Sequence, residues 1–297
     1  MMQTKHIFYL AFSLLLMSGC EDVIDIRLSN EDVGLYAVEA KITTQNNPYV
    51  FLYKTQPVNK TEPYTGISNA VVTISDNSQP PKTVQLTEDP ETPGLYVPAQ
   101  GVTYLGEYNK KYTVSVSTGE TTLTASDTLT KVEPVDSMQI HSSLRGDHRF
   151  LGIFIFGQET PGTGNYYKWD IYINHELLNG SDYLSIASDE LVDGNYMNGY
   201  EIFTDFHNPD EPSERLLNLG DTVQVKQTSV SEFAWHFYYQ MFDQGQTGGL
   251  FSVPPANIKG NFSSDDGRPV LGLFTAHDVS VSNVVIIDET IENQLKK

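Results

Sequence analysis

Cysteine is almost missing from this sequence: among 297 residues only Cys20 is one. No disulfide can form within the chain, and no cysteine cluster can hold zinc. Basic side chains are scarce, 18 Lys and Arg against 38 Asp and Glu, for a formal net charge of −20. Such a surface repels polyanions, so nucleic acid is not expected as a partner. Long apolar runs are lacking too. After Met17 no stretch approaches about eighteen apolar residues, so no later segment reads as a membrane-spanning helix. Signatures of catalysis are also missing. There is no H-E-x-x-H, no G-x-S-x-G and no P-loop, and no histidine pair is spaced around a glutamate as zinc peptidases require. The sequence therefore leads to the expectation of a non-catalytic protein with no metal and no cofactor. Asp189-Glu190 and Asp265-Asp266-Gly267 offer oxygen ligands of the kind calcium takes. Neither has the spaced D-x-D-x-D-G pattern, and a plain turn is the favoured reading of both.

What is present begins with an export signal. Lys5 and His6 precede the apolar run Ile7 to Met17, and Ser18-Gly19-Cys20 follows at once. As a helix that run would reach about 16 Å, half of a bilayer core of about 30 Å. It fits the apolar centre of a signal peptide instead. Small residues before a cysteine give a lipoprotein signal peptidase access to the bond it cuts. Met17-Ser18-Gly19-Cys20 matches that lipobox except at Met17, where Leu is usual. The expectation is a signal peptide over residues 1–19 and lipid attachment at Cys20. One acyl chain binds membranes marginally, whereas several, palmitate among them, anchor durably. Residues 20–34 then form a lipidated tether, of which residues 21–34 stretch at most about 45 Å.

The rest is β-rich, with abundant Tyr, Phe, Thr, Ser and Val punctuated by Pro and Gly. In Tyr112 to Thr118, Tyr112, Val114 and Val116 alternate with Thr113, Ser115 and Ser117; Ala70, Val72 and Ile74 alternate with Thr73 and Ser75. Seven such strands with one wet face each predict an immunoglobulin-like antiparallel β-sandwich over residues 35–132. Val132-Glu133-Pro134-Val135-Asp136 reads as the junction to a second β-rich domain, residues 133–290, followed by a tail, 291–297. In that domain Phe150 to Phe156 is apolar on both faces and is expected in the middle of a buried sheet, while Tyr166 to Asn174 alternates.

One helix is predicted, near residues 230–243. Ser229-Val230-Ser231-Glu232 has the form of a capping box, with Ser229 as cap. Glu232, His236, Gln240 and Asp243 make one narrow polar stripe, and nearly everything else is bulky and apolar, so the helix is expected to be covered on more than one side. Trp235, Tyr238 and Tyr239 are the candidates for contact with a ligand or partner. For any one of these rings the core between helix and sheet is the favoured place, and a partner surface for at least one of them is the competing reading. The Gly245 to Asn261 loop that follows is long enough to suggest a role.

Short blocks in a fixed order carry a resemblance. They are Cys20-Glu21-Asp22-Val23-Ile24-Asp25, Val71 to Asp76, Gly94-Leu95-Tyr96, Pro134 to Ser137, Asn165-Tyr166-Tyr167, Gly220 to Val223, and the aromatic helix with Gly248-Gly249 and Pro254 to Ile258. In these the chain resembles a Bacteroidota outer-membrane lipoprotein family, a domain of unknown function, whose members commonly accompany TonB-dependent, SusC-like receptors. Glu21 and Asp22 resemble the acidic signal that sends such lipoproteins to the cell surface. The resemblance implies an outer-membrane protein held by lipid on Cys20, facing the exterior, and acting as ligand-binding or docking partner of a nutrient importer. It supplies no catalytic residue and names no ligand. A structural or adhesive envelope role, and more remotely a hydrolase with an unrecognised site, are the competing readings.

Overall fold

The computed structural model describes residues 34–56, 63–145, 148–204, 217–245 and 258–296. The fold is mainly β, as the alternation implies. The first strands are β1 (Tyr36–Thr43), β2 (Tyr49–Lys54), β3 (Val71–Asp76), β4 (Thr83–Glu88), β5 (Leu95–Pro98), β6 (Lys110–Ser117) and β7 (Thr122–Leu129). Then come β8 (Ser137–Arg145), β9 (His148–Gln158), β10 (Tyr166–Ile173), β11 (Glu176–Leu177), β12 (Ser185–Ser188), β13 (Tyr196–Thr204) and β14 (Thr222–Val230). Helix α1 (Glu232–Gly245) precedes β15 (Ser263–Ser264), β16 (Val270–His277), β17 (Val279–Val281) and β18 (Val285–Ile286), and α2 (Glu289–Glu292) is a short turn capped by Asp288. No helix among the described residues is long and apolar enough to cross a membrane.

The first core is enclosed by one nine-stranded sheet in the order β15-β7-β6-β3-β4-β5-β2-β1-β16. Val38 and Ile42 of β1, Leu52 of β2, Ile74 of β3, Val116 of β6 and Leu123 of β7 all point into it. Residues from both halves of the sheet share this core, so the sheet is folded over on itself as a sandwich. Short β5 makes the fold line, pairing with β2 and β4. On the open side a parallel bridge between Thr130 and His277 draws the ends together, so the sheet is nearly a barrel. Pairing is antiparallel except at β1 and β16, which run parallel from Tyr36 opposite Val270 to Thr43 opposite His277. This approach is tight enough to require glycine. A Cβ on Gly272 would lie 1.9 Å from the carbonyl oxygen of Val38, and one on Gly260 would lie 1.5 Å from that of Gly272.

A six-stranded sheet (β11-β10-β14-β17, with β12 on β10 and β18 on β14) and a three-stranded sheet (β13-β9-β8) enclose the second core. Trp169 and Ile171 of β10, Val223 and Val225 of β14, Ile153 and Ile155 of β9, and Met138 of β8 fill it. Strand β9 is central, as its apolar run implies, but only one face is fully buried. Phe154 and Phe156 lie on the other face and stay half-buried, with the His141 ring 5.7 Å from that of Phe154. The segment around Pro134 is tied down: Val132, Val135 and Met138 donate backbone N–H groups to Asp278, Ser280 and Asn283.

Helix α1 begins two residues later than the capping box predicts. Strand β14 keeps its ladder with β10 through Val230, opposite Tyr166. Ser229 is consumed by that strand, its hydroxyl donating to the Thr130 carbonyl at 2.5 Å. Ser231 caps instead, its Oγ accepting the N–H of Ala234 at 3.3 Å. A tertiary ladder has overridden a local signal.

Candidate functional site

The helix packs on the outer face of the strands beneath it. Ala234 is fully buried against Val230 and Leu273, and Trp235, Phe237 and Tyr238 pack around that contact. Glu232, His236 and Gln240 form the exposed polar stripe, with Glu232 and His236 3.9 Å apart. The remaining apolar side is not covered as expected: Phe233 is 45% exposed, Tyr239 45% and Met241 39%. The contacts with Leu273 and Tyr166 bury Ala234 and half-bury Trp235, Phe237 and Tyr238, and leave bulky residues at other angles in solvent.

The three candidate rings have different surroundings. Trp235 lies 5.6 Å from the Tyr166 ring and stacks on Tyr239 at 5.4 Å. Its indole N–H is buried and has no hydrogen-bond partner among the described residues. Tyr238 faces inward; burial, then Asp170 and Glu39, hold its phenol far above the usual range. Tyr239 faces solvent. Trp235 and Tyr239 are thus brought together, while Tyr238 belongs to the layer below. Cys20, Glu21 and Asp22 lie outside the described residues, as does most of the Gly245 to Asn261 loop.

Under the helix is a polar layer that no local sequence signal marks. It is made of the wet-face residues of β1, β2, β10 and β16. Lys168 pairs with Asp170 and lies 5.5 Å from the Tyr238 ring. Tyr49 donates to Glu39, and Lys41 lies over the Tyr49 ring at 5.6 Å. Burial lowers the Lys41 pKa against the opposing pull of Asp170. His277 is 6% exposed and its Nδ1 makes no hydrogen bond among the described residues. Burial, then Lys41 and Lys168, push its pKa down to about 3, so the imidazole is neutral.

Three further groups lie away from this layer. Carboxylate oxygens of Glu159, Asp189 and Asp193 lie within 4.8 Å of one another, and these residues could hold a cation. Their oxygens already accept hydrogen bonds: Glu159 from Tyr167 and Gly194, Asp189 from Gly164 and Asn165, Asp193 from Gly162. They staple the loops before β10 and β13 together. Asp189 joins this group without Glu190, whose side chain is exposed. Asp265 and Asp266 are turn residues, the first accepting from Thr121 and Thr122, the second paired with Arg268 at 2.7 Å. Finally, Tyr172, His175, Thr222, Gln224, Lys226 and Val284 line a recess at the far end of β10 and β14. The sequence placed Tyr172 on the wet face of its strand but gave no reason to single it out.

No curated protein matches the chain. A family model described as a domain of unknown function, DUF4249, matches residues 21–283, which takes in the first core, the aromatic helix and most of the second core and of the recess. The chain belongs to the DUF4249 family.

Proposed function

We propose that this protein is a non-catalytic accessory lipoprotein of the outer membrane, anchored by lipid on Cys20 and facing the exterior, that docks on a TonB-dependent, SusC-like importer through helix α1. The observation that carries the docking surface is that large apolar side chains of α1 stand in solvent beside its polar stripe. Phe233 and Tyr239 flank the Glu232, His236 and Gln240 stripe in solvent, and Met241 is part-exposed further along, on a helix fixed by Ala234 and Trp235. Large rings held rigid at a surface lose little conformational freedom on binding and are the residue type on which interfaces concentrate their energy. The lipobox at Met17 to Cys20 and the acidic Glu21-Asp22 support the anchoring half of the reading.

The test is a native pull-down from envelopes solubilised in mild detergent, with a tag after Lys297. A TonB-dependent barrel recovered in near-equal amount supports the reading. Tyr239→Ala together with Phe233→Ala should then cut that recovery at least tenfold while leaving the unfolding midpoint in place. Recovery of the lipoprotein alone, under conditions that preserve a known importer pair, overturns the docking half. A protein purified from the envelope whose Cys20 carries no lipid by mass spectrometry overturns the anchoring half.

A further inference from the structure

The recess at the far end of β10 and β14 is built from the strands upward. Tyr172 stands opposite Gln224, and Asp170 opposite Lys226. Tyr172, Gln224 and Lys226 therefore share one face, while Ile171, Val223 and Val225 fill the core on the other. His175 reaches the recess through a tight hairpin. Asn174 and His175 have φ of 50° and 70°, the left-handed conformation of a two-residue loop that normally reads Asn-Gly. Asn174 locks the turn to β14. Its N–H donates to the Thr222 carbonyl at 2.9 Å, its Oδ1 accepts the Thr222 N–H at 3.0 Å, and its Nδ2 donates to Asp221 at 2.8 Å. An imidazole thus occupies a backbone position that favours glycine, at the edge of a recess.

The charge of the lining is unlike that of the chain. Acidic residues outnumber basic ones by 38 to 18 overall, yet the recess is lined by Lys226 and His175 and by no carboxylate. The Lys226 ammonium lies 4.5 Å from the centre of the Tyr172 ring and forms no ion pair among the described residues. A ring face occupies at most one of its three N–H donors. Asp170 is engaged with Lys168, and Asp221 with Asn174 and Asn218, while the exposed Glu176 beside His175 is outside the lining. Around this polar floor runs an apolar rim. Leu177 stands opposite Tyr172, Val281 opposite Lys226 and Ile286 opposite Thr222, and all three, with Val284, are exposed.

We propose that this recess binds a carboxylate carried on an apolar body. The carboxylate meets Lys226 and His175, and the body lies along the Tyr172 ring and the rim of Leu177, Val284 and Ile286. A volume of about 110 Å³ takes a carboxylate and a short stretch of chain, so the rest of the ligand rests on the rim. An unpaired lysine in a chain of −20 net charge gives local attraction for an anion that the surface as a whole repels. The site lies at the opposite end of β10 from α1, and it stands whether or not the helix docks on a barrel.

The probe is N-acetyl-leucine, with the isosteric neutral N-acetyl-leucinamide as control, titrated calorimetrically into the full-length protein in neutral detergent. The acid is expected to bind at least tenfold more tightly than the amide, with an affinity that falls as salt rises. Lys226→Gln should bring the acid-to-amide ratio to about one without moving the unfolding midpoint. Tyr172→Ala should weaken both probes together. Equal binding of acid and amide, an unchanged ratio in Lys226→Gln, or no saturable binding of either at tens of millimolar would each overturn the proposal.

Discussion

Asp278 accepts the backbone N–H of Val132 at 3.0 Å, joining residues 146 positions apart at the seam between the two cores. The same carboxylate takes the hydroxyl of Thr44 at 2.6 Å and the N–H of Val279 at 2.9 Å, and it is almost wholly buried. Beside it the Ser229 hydroxyl donates to the Thr130 carbonyl and accepts the Asp278 N–H. Here buried polar groups, and not only apolar contact, hold the first core to the second. Hydrogen bonds to a charged acceptor contribute about 1.5–3 kcal/mol each, and stranded donors add a desolvation penalty. Asp278→Ala should therefore lower stability by about 3 kcal/mol in urea titration, and Asp278→Asn by less. A loss under about 0.5 kcal/mol for the alanine variant would mean the seam is held by packing alone.

The parallel pairing of β1 with β16 gives a second prediction. Alanine at Gly272 would put its Cβ 1.9 Å from the Val38 carbonyl oxygen, at a φ of +106° that side chains rarely adopt. Neither backbone can retreat without breaking the ladder, so Gly272→Ala should cost about 3 kcal/mol or abolish folding. Gly101→Ala is the control, with a φ of +82° and no atom within 4 Å of the added carbon. It should cost about 1 kcal/mol. Equal urea midpoints for the two variants would show that β16 is not held closely to β1.

The same strand pair shows where sequence reading stops. The alternation of Val38, Ala40 and Ile42, or of Tyr112, Val114 and Val116, is dictated by the two-residue period of a strand and was legible. Which strand pairs with β1 was not, because parallel partners can lie any distance apart and leave no local mark. Ser229 and Ser231 show a closer contest. Both can cap a helix, and only the reach of the β10 ladder to Val230 decides between them. At the recess, Lys226, Tyr172 and His175 come from two strands and a turn, and Asn174-His175 lacks the glycine that announces such a turn. Trp235 and Tyr239 were legible as bulky helix residues; that one is half-buried and the other exposed depends on the Tyr166 and Leu273 contacts.

His277 ties stability to pH. Its folded pKa is about 3 against an ordinary 6.5, held down first by burial and then by Lys41 and Lys168. Above pH 6.5 the ring is neutral both folded and unfolded, and its protonation does not affect stability. Between 6.5 and about 3 the unfolded chain takes up a proton that the folded chain refuses, so stability falls with acidification. The slope is at most about 1.4 kcal/mol per pH unit. His277→Phe removes this contribution and leaves every carboxylate in place. The difference in urea midpoint between the two proteins should therefore drift in favour of the variant as pH is lowered from 7 to 4. A difference independent of pH would place a charged, solvated imidazole at position 277.

His175 offers a test in which stability and binding move in opposite directions. Its φ of 70° carries a strain of about 1–2 kcal/mol for a residue with a Cβ. Glycine removes that strain at the price of some added freedom in the unfolded chain. The turn itself is held by Asn174, whose four hydrogen bonds to Asp221 and Thr222 do not involve the His175 side chain. His175→Gly should therefore raise stability by about 0.5–1 kcal/mol while weakening N-acetyl-leucine several-fold. A residue kept in a strained conformation for packing would behave differently, because the imidazole is exposed and has little packing to lose. If His175→Gly destabilises the fold, the imidazole supports the hairpin. If it stabilises the fold and leaves the acid-to-amide ratio unchanged, Lys226 alone reads the charge.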